Sequence, residues 1–266
     1  MVTGTRLPVS VVTDPQLGGR WTSLTAGGRE WLWHRDEPRR ARVRPGDPFA
    51  DAGGLEECVP TVRGLPDHGD AWARRWHQDG DLHVVECPGF RLARRIRDDA
   101  GTVVADYTLT AEPGHRFVWA AHALLDLSPS ARIGIDGPAE ARLYASDEDA
   151  GWVTGTWPRV DGIPLDRLGP DDGTAVGAVV LTPRVSVHDG ADTLHLSLEG
   201  DGQPLSVALW RNLRGFPQDA PYRSVGVEPM LGRVFDRATA DDGDTAVVPA
   251  AGQVTWRLTI TATRRA

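Results

Sequence analysis

Apolar and polar residues alternate one by one along most of this chain, in short runs. That is the period of a strand with one buried face. The alternation predicts strands at Pro8–Thr13, Glu30–His34, Leu82–Cys87, Phe90–Arg97, Val103–Ala111, Arg116–Leu127, Ala131–Ile135, Ala141–Ala145, Ala175–Leu181, Val185–His188, Thr193–Leu198, Leu205–Trp210, Tyr222–Val227 and Val254–Thr263. Asp-Gly pairs punctuate them, as at Asp79-Gly80, Asp136-Gly137, Asp189-Gly190 and Asp242-Gly243. Such pairs tolerate the positive φ of tight hairpin turns. No 3.6-residue apolar stripe persists, because glycine or proline interrupts almost every window long enough for a helix. Regular strands with turn signals between them predict an all-β chain, a large antiparallel sandwich or barrel. Arg35–Pro48 and Gly155–Asp172 lack strand character and are expected to be a surface loop and a long connection. No composition shift, repeat or low-complexity tract divides the chain, so one domain over residues 1–266 is the expectation.

Composition narrows the function classes. The chain has 266 residues, 40% apolar and 25% charged, with a net charge of −8. That balance argues against binding a phosphate backbone, so no nucleic-acid partner is expected. Every basic residue other than histidine is arginine. Schiff-base, P-loop and general-base lysines are therefore excluded. Cys58 and Cys87 are the only cysteines, without metal-ligand spacing. Two thiols suit a reducing compartment, although one disulfide between them stays open. No long apolar run, and no basic segment followed by one at the N-terminus, points to a membrane span or a signal peptide. A cytoplasmic protein is the expectation, with its oligomeric state open.

Three stretches can carry chemistry. In Pro221–Met230, Tyr222, Ser224, Gly226 and Glu228 share one strand face, which is small and polar, and Pro229 follows the carboxylate. Glu228 reads as a positioned base or as an ordinary rim glutamate. Gly53–Trp76 gathers Glu56, Glu57, Asp67, His68, Asp70, Trp72, Arg74 and Trp76 among glycines and prolines. This is expected to be a loop over the surface or along a cleft. Polar groups beside tryptophans suit a sugar, whose C–H faces stack on indoles while its hydroxyls take polar partners. A loop merely pinned by tryptophans fits equally. In Arg116–Leu127, His122 shares a face with Val118, Ala120, Leu124 and Asp126, either as a structural histidine or as a group facing a ligand. No GxSxG, HExxH or GxGxxG is present, and no metal or cofactor is implied.

Taken in order, GG-x-E-E-x-x-P-T at Gly53–Thr61 with Asp67-His68-Gly69, then His122 on a strand, then Val227-Glu228-Pro229 resemble the aldose 1-epimerase (galactose mutarotase-like) family over roughly residues 8–263. The resemblance implies a large antiparallel β-sandwich with a sugar-binding groove and no cofactor. It implies that His68 polarises the sugar near its ring oxygen, that His122 is the general acid and that Glu228 is the general base. Glu57, Asp67, Trp72 and Arg74 are the expected substrate contacts. The string around His122, Ala120-Ala121-His122-Ala123-Leu124-Leu125-Asp126-Leu127, departs from the family's Thr/Asn-x-His-x-Tyr-Phe-Asn-Leu. The aldose is accordingly free or modified, and a non-catalytic carbohydrate-binding protein on the same fold is the alternative. A nearby carboxylate is expected to keep His122 protonated near neutral pH. Another reaction on a sugar scaffold, lyase or hydrolase chemistry, is a third option; hydrolysis requires two carboxylates flanking the bond, for which Glu56 or Glu57 with Glu228 are the candidates.

Overall fold

The computed structural model describes residues 4–144 and 151–265. Among the described residues two antiparallel sheets dominate. The smaller has nine strands, ordered Arg132–Gly134, Arg184–Asp189, Asp192–Glu199, Gln253–Arg264, Thr102–Ala111, Phe90–Asp99, Leu82–Cys87 and His77–Asp79, with Thr5–Leu7 also on Gln253–Arg264. The larger has 12 strands. Its centre runs Glu140–Tyr144, Ala175–Val180, Leu205–Leu213, Arg223–Leu231, Trp119–Leu125, Leu55–Cys58 and Arg20–Ala26. Period-two alternation supplies each sheet with an apolar inner face. Leu92, Tyr107, Leu109, Trp256, Leu258 and Ile260 of one sheet share the core with Trp119, Ala121, Leu125, Val207, Val225 and Val227 of the other. No helix among the described residues is long and apolar enough to cross a membrane.

The predicted strands are largely present, with informative differences. Arg116–Leu127 is split at Val118, giving Arg116–Phe117 and Trp119–Leu125. Glu30–His34 is only a short Arg29–Glu30 strand followed by isolated bridges at Leu32 and His34. Ala145, the expected end of one strand, lies outside the described residues. The expected connection 155–172 carries two short hairpin strands, Arg159–Val160 and Ile163–Pro164. The main correction is at Gly53–Trp76, expected to lack a strand. Leu55–Cys58 forms one inside the larger sheet, between Trp119–Leu125 and Arg20–Ala26, and is wholly buried. Its Glu-Glu pair conceals the strand because both carboxylates are enclosed with guanidinium partners. Both cysteines are free.

The outer face of the larger sheet is also partly covered. Cys58, Val118, Ala120, Val179, Ala208 and Met230 form a second apolar cluster with Val62, Val234 and Phe235. The residues next to this cluster, on the same face, make up the site.

Candidate active site

Strand register sets the centre of the site. Trp119–Leu125 pairs with Arg223–Leu231 through Ala120↔Met230 and Leu124↔Gly226, which puts His122 directly across from Glu228. On its other side His122 faces Glu56. Directly opposed residues of an antiparallel pair point to the same face. His122 Nε2 lies 3.8 Å from Glu228 Oε1, and both residues are buried. Gly226 makes this arrangement possible, since a Cβ there would sit 2.3 Å from Glu228 Oε1 and 3.1 Å from Cβ of Trp210. The bare floor at Gly226 is flanked by the half-buried Trp210.

His68 arrives from a loop that docks on the end of the Glu56 strand. Its φ of 57° is in the left-handed region, uncommon for a side-chain-bearing residue and often found at functional sites. Gly69 next to it must be glycine, because a Cβ would lie 2.1 Å from the Val59 carbonyl oxygen. The Asp70 amide donates to that same carbonyl at 2.7 Å. Asp67 Oδ1 lies 2.8 Å from His68 Nδ1, which leaves Nε2 as the outward nitrogen, and Asp67 Oδ2 accepts the Phe49 amide at 2.9 Å. Phe49 stacks on His68 with centroids 3.8 Å apart and meets His122 edge-on at 5.5 Å. The two imidazoles are themselves edge to face at 5.1 Å.

Electrostatics divide the protons between the central pair. Burial drives the Glu228 carboxyl up to about 7; His122 pulls against that and Asp51 adds to it. Burial also pushes the His122 imidazole below its ordinary range, more than the neighbouring carboxylate lifts it. The expectation that the carboxylate keeps His122 charged near neutral pH is therefore overturned: the cost of desolvating the cation is larger. Burial thus disfavours the charged form of both members, and two buried groups this close titrate as a unit. Asp67 is raised by burial, yet the hydrogen bonds from His68 and from the Phe49 amide outweigh this and hold it below the usual carboxylate range.

His68, His122, Asp67 and Glu228 thus come together, and Trp72, Glu57 and Arg74 stand apart from them. Trp72 is buried beneath the site, where its indole N–H donates to the Asp67 carbonyl at 2.9 Å and its ring props Phe49. Glu57 points to the inner face. It accepts Arg94 at 2.6 Å, the Tyr107 hydroxyl at 2.9 Å and the Trp119 indole at 2.8 Å, with no exposure left for a ligand. Arg74 pairs with Asp70 at 3.2 Å and lines a different cavity, of about 720 Å³, with Arg75, His77, Glu86 and Arg91. Glu56 shares the outer face but is gripped by Arg40 at 2.7 and 2.8 Å. Residues that pattern reading passed over complete the surroundings: Phe49, Asp51, Trp33 and Trp210. Trp33 and Trp210 carried a signal, their places on the predicted strands Glu30–His34 and Leu205–Trp210, whereas Phe49 and Asp51 sit in irregular backbone. No group of three or more potential metal ligands occurs among the described residues.

No protein-family model matches the sequence, and no curated protein matches it. Solved structures do. An Escherichia coli K12 protein named "putative aldose 1-epimerase" superposes with a TM-score of 0.70 at 15% identity, covering 98% of this chain and 99% of its own. A galactose mutarotase related enzyme from Lactobacillus acidophilus gives 0.66 at 13% identity over 99% and 98% of the two chains. A galactose mutarotase-like protein from Lactobacillus casei gives 0.62 at 12% identity over 98% of each. End to end, this chain has the antiparallel β-sandwich fold of the galactose mutarotase-like proteins.

Proposed function

We infer that the protein is an aldose 1-epimerase-type isomerase that interconverts the α and β anomers of a free or modified aldose. The observation that carries this reading is the His122–Glu228 pair, opposed across two strands, buried and 3.8 Å apart. Ring opening requires a proton to leave the anomeric hydroxyl and another to reach the ring oxygen. One member of the pair takes the first while the other gives the second. After opening, the proton has changed places, and ring closure from the rotated aldehyde returns it. Glu228 takes the first proton as base and His122 gives the second as acid, and the exchange reverses on closure, so both tautomers of the pair are used in a full cycle. Matching a catalytic pKa to the working pH favours such transfers, each contributing roughly 10²–10⁴-fold. His68, oriented by Asp67, supplies a further polar contact near the ring oxygen. The names of the structural neighbours support the same reaction class.

The test is the anomer interconversion rate of a panel of aldoses, by polarimetry or exchange NMR, for wild type and Glu228→Gln. Saturable acceleration in wild type with a loss of at least ~10²-fold in the variant is expected. Rates equal to the buffer rate for every sugar would sink the assignment. Sugar binding by calorimetry that survives Glu228→Gln, with no rate effect in either protein, would establish the non-catalytic carbohydrate-binding alternative. Against glycoside hydrolysis stand the ion pairs of its candidate carboxylates: Glu56 is bound by Arg40, and Glu57, on the inner face, by Arg94.

A further inference from the structure

Among the described residues no cation forms an ion pair with the Asp51 carboxylate; Arg20 feels its charge but donates to the Gly53 and Ala52 carbonyls instead. Asp51 Oδ1 accepts the Gly53 amide at 3.0 Å, and its Oδ2 accepts the Tyr222 hydroxyl. Each carboxylate oxygen offers about two acceptor directions, so each keeps one for an arriving donor. The neighbouring carboxylates have partners: Glu56 has Arg40, Glu57 has Arg94, Asp67 has His68 and the Phe49 amide, and Asp70 has Arg74. Tyr222 is fixed in its turn. Its ring stacks on Trp33 with centroids 5.4 Å apart and planes 8° from parallel, and the Arg35 guanidinium lies 4.4 Å over the ring. Tyr222 immediately precedes the Glu228 strand, in phase with its outward residues Ser224, Gly226 and Glu228.

We propose that Asp51, clamped by Tyr222 and the Gly53 amide, anchors a hydroxyl of the bound aldose and so positions the sugar over the His122–Glu228 pair. The inference rests on the aldose reading above. A half-buried carboxylate with unused acceptor directions makes strong, charge-assisted hydrogen bonds with O–H donors, and a sugar presents several side by side. Burial and Asp51 push the Tyr222 phenol well above its ordinary range, so it remains a donor to Asp51 wherever the protein is folded. The charge of Asp51 also reaches the reacting pair, favouring the protonated form of both Glu228 and His122. The other groups acting on that pair are His68 on His122 and each member on the other, with the neutral Cys58 thiol beside Glu228.

The experiment compares Asp51→Asn and Tyr222→Phe with wild type in steady-state anomerisation. The sugars are the best aldose of the panel and its single-deoxy analogues, and calorimetry on Glu228→Gln reports binding apart from turnover. Losing a hydrogen bond to a charged acceptor predicts a KM raised about tenfold or more in Asp51→Asn, with kcat changed less. Tyr222→Phe raises KM by a smaller factor. One deoxy analogue, poor for wild type, suffers no further loss in Asp51→Asn, because the contact is already gone; a merely structural role would leave that analogue's penalty in place. Turnover in wild type with KM unchanged in Asp51→Asn, or with the deoxy penalty undiminished, overturns the Asp51 assignment alone. Absence of both binding and turnover for every aldose overturns the epimerase reading and this inference with it. If Asp51→Asn fails to fold, Tyr222→Phe decides, since it leaves the carboxylate in place and an unchanged KM there overturns the clamp.

Discussion

Replacing Glu228 by glutamine should change how stability depends on pH, whatever the sugar. In the folded chain burial holds the carboxyl up to about 7, against 4.5 for a free glutamate. That difference corresponds to about 3 kcal/mol. Below pH 4.5 the carboxyl is neutral in both states and the folded protein bears no penalty. As pH rises toward 7 the unfolded chain ionises while the folded chain keeps its proton, so stability falls by about 1.4 kcal/mol for each pH step. Above 7 the folded carboxylate ionises too and the loss levels off. Glutamine carries no proton to lose, so the variant escapes this decline. His122, whose imidazole burial lowers, acts in the opposite sense: its contribution is present above its free value of 6.5 and is lost as pH falls through the lower folded value. It remains in both proteins and is mainly neutral in folded and unfolded chains alike above its free value, so the difference at pH 7–9 reports mainly on Glu228. Urea or thermal denaturation from pH 4 to 9 should show the two proteins alike near pH 4. The variant should then gain with pH, to about 3 kcal/mol at pH 8, or on the order of 6–12 °C in Tm. A difference that stays flat over the whole range would refute the claim that Glu228 is a desolvated, partly protonated acid.

Three other substitutions probe the surroundings. Gly226→Ala should move the Glu228 carboxylate, which a Cβ would meet at 2.3 Å, and cut anomerisation at least tenfold, at a stability cost of only about 1–2 kcal/mol; steady-state kinetics and thermal melts report the two effects. Glu57→Ala should destabilise by about 3–5 kcal/mol in urea denaturation, because it strands Arg94 in the core without an anion. Arg74→Ala should leave anomerisation within about twofold of wild type, since the guanidinium lines another cavity; a larger fall in kcat/KM would place it at the substrate after all.

How much of this could be read from residues alone varied with the local physics. Strands that bury one face announced themselves by alternation, as in Phe90–Asp99 and Leu205–Leu213. Leu55–Cys58 did not, because both of its faces are buried and two of its four residues are charged. The outward direction of His122 and Glu228 followed from period two, whereas their being opposite one another is a matter of register, which one strand cannot encode. The position of Glu57 was invisible for a related reason: adjacent glutamates on a strand must face opposite ways, but nothing in Glu56-Glu57 says which faces the core. The tryptophans misled in a useful way. Trp72 and Trp119 are pillars of the interior, while the half-buried Trp33 and Trp210 lie beside the site. Asp51 had no signal, since its role depends on a tyrosine 171 positions later.

The direct opposition of His122 and Glu228 ties assembly of the site to sheet pairing. Each residue is held by its own strand, and no loop or cofactor is needed to bring them face to face. A slip of one position between the two strands would turn one member of the pair into the apolar interior, where an ionisable group costs several kcal/mol. Mispaired chains are therefore penalised by the very residues on which the proposed activity depends. A chain that has brought His122 and Glu228 face to face has thereby aligned the centre of its larger sheet.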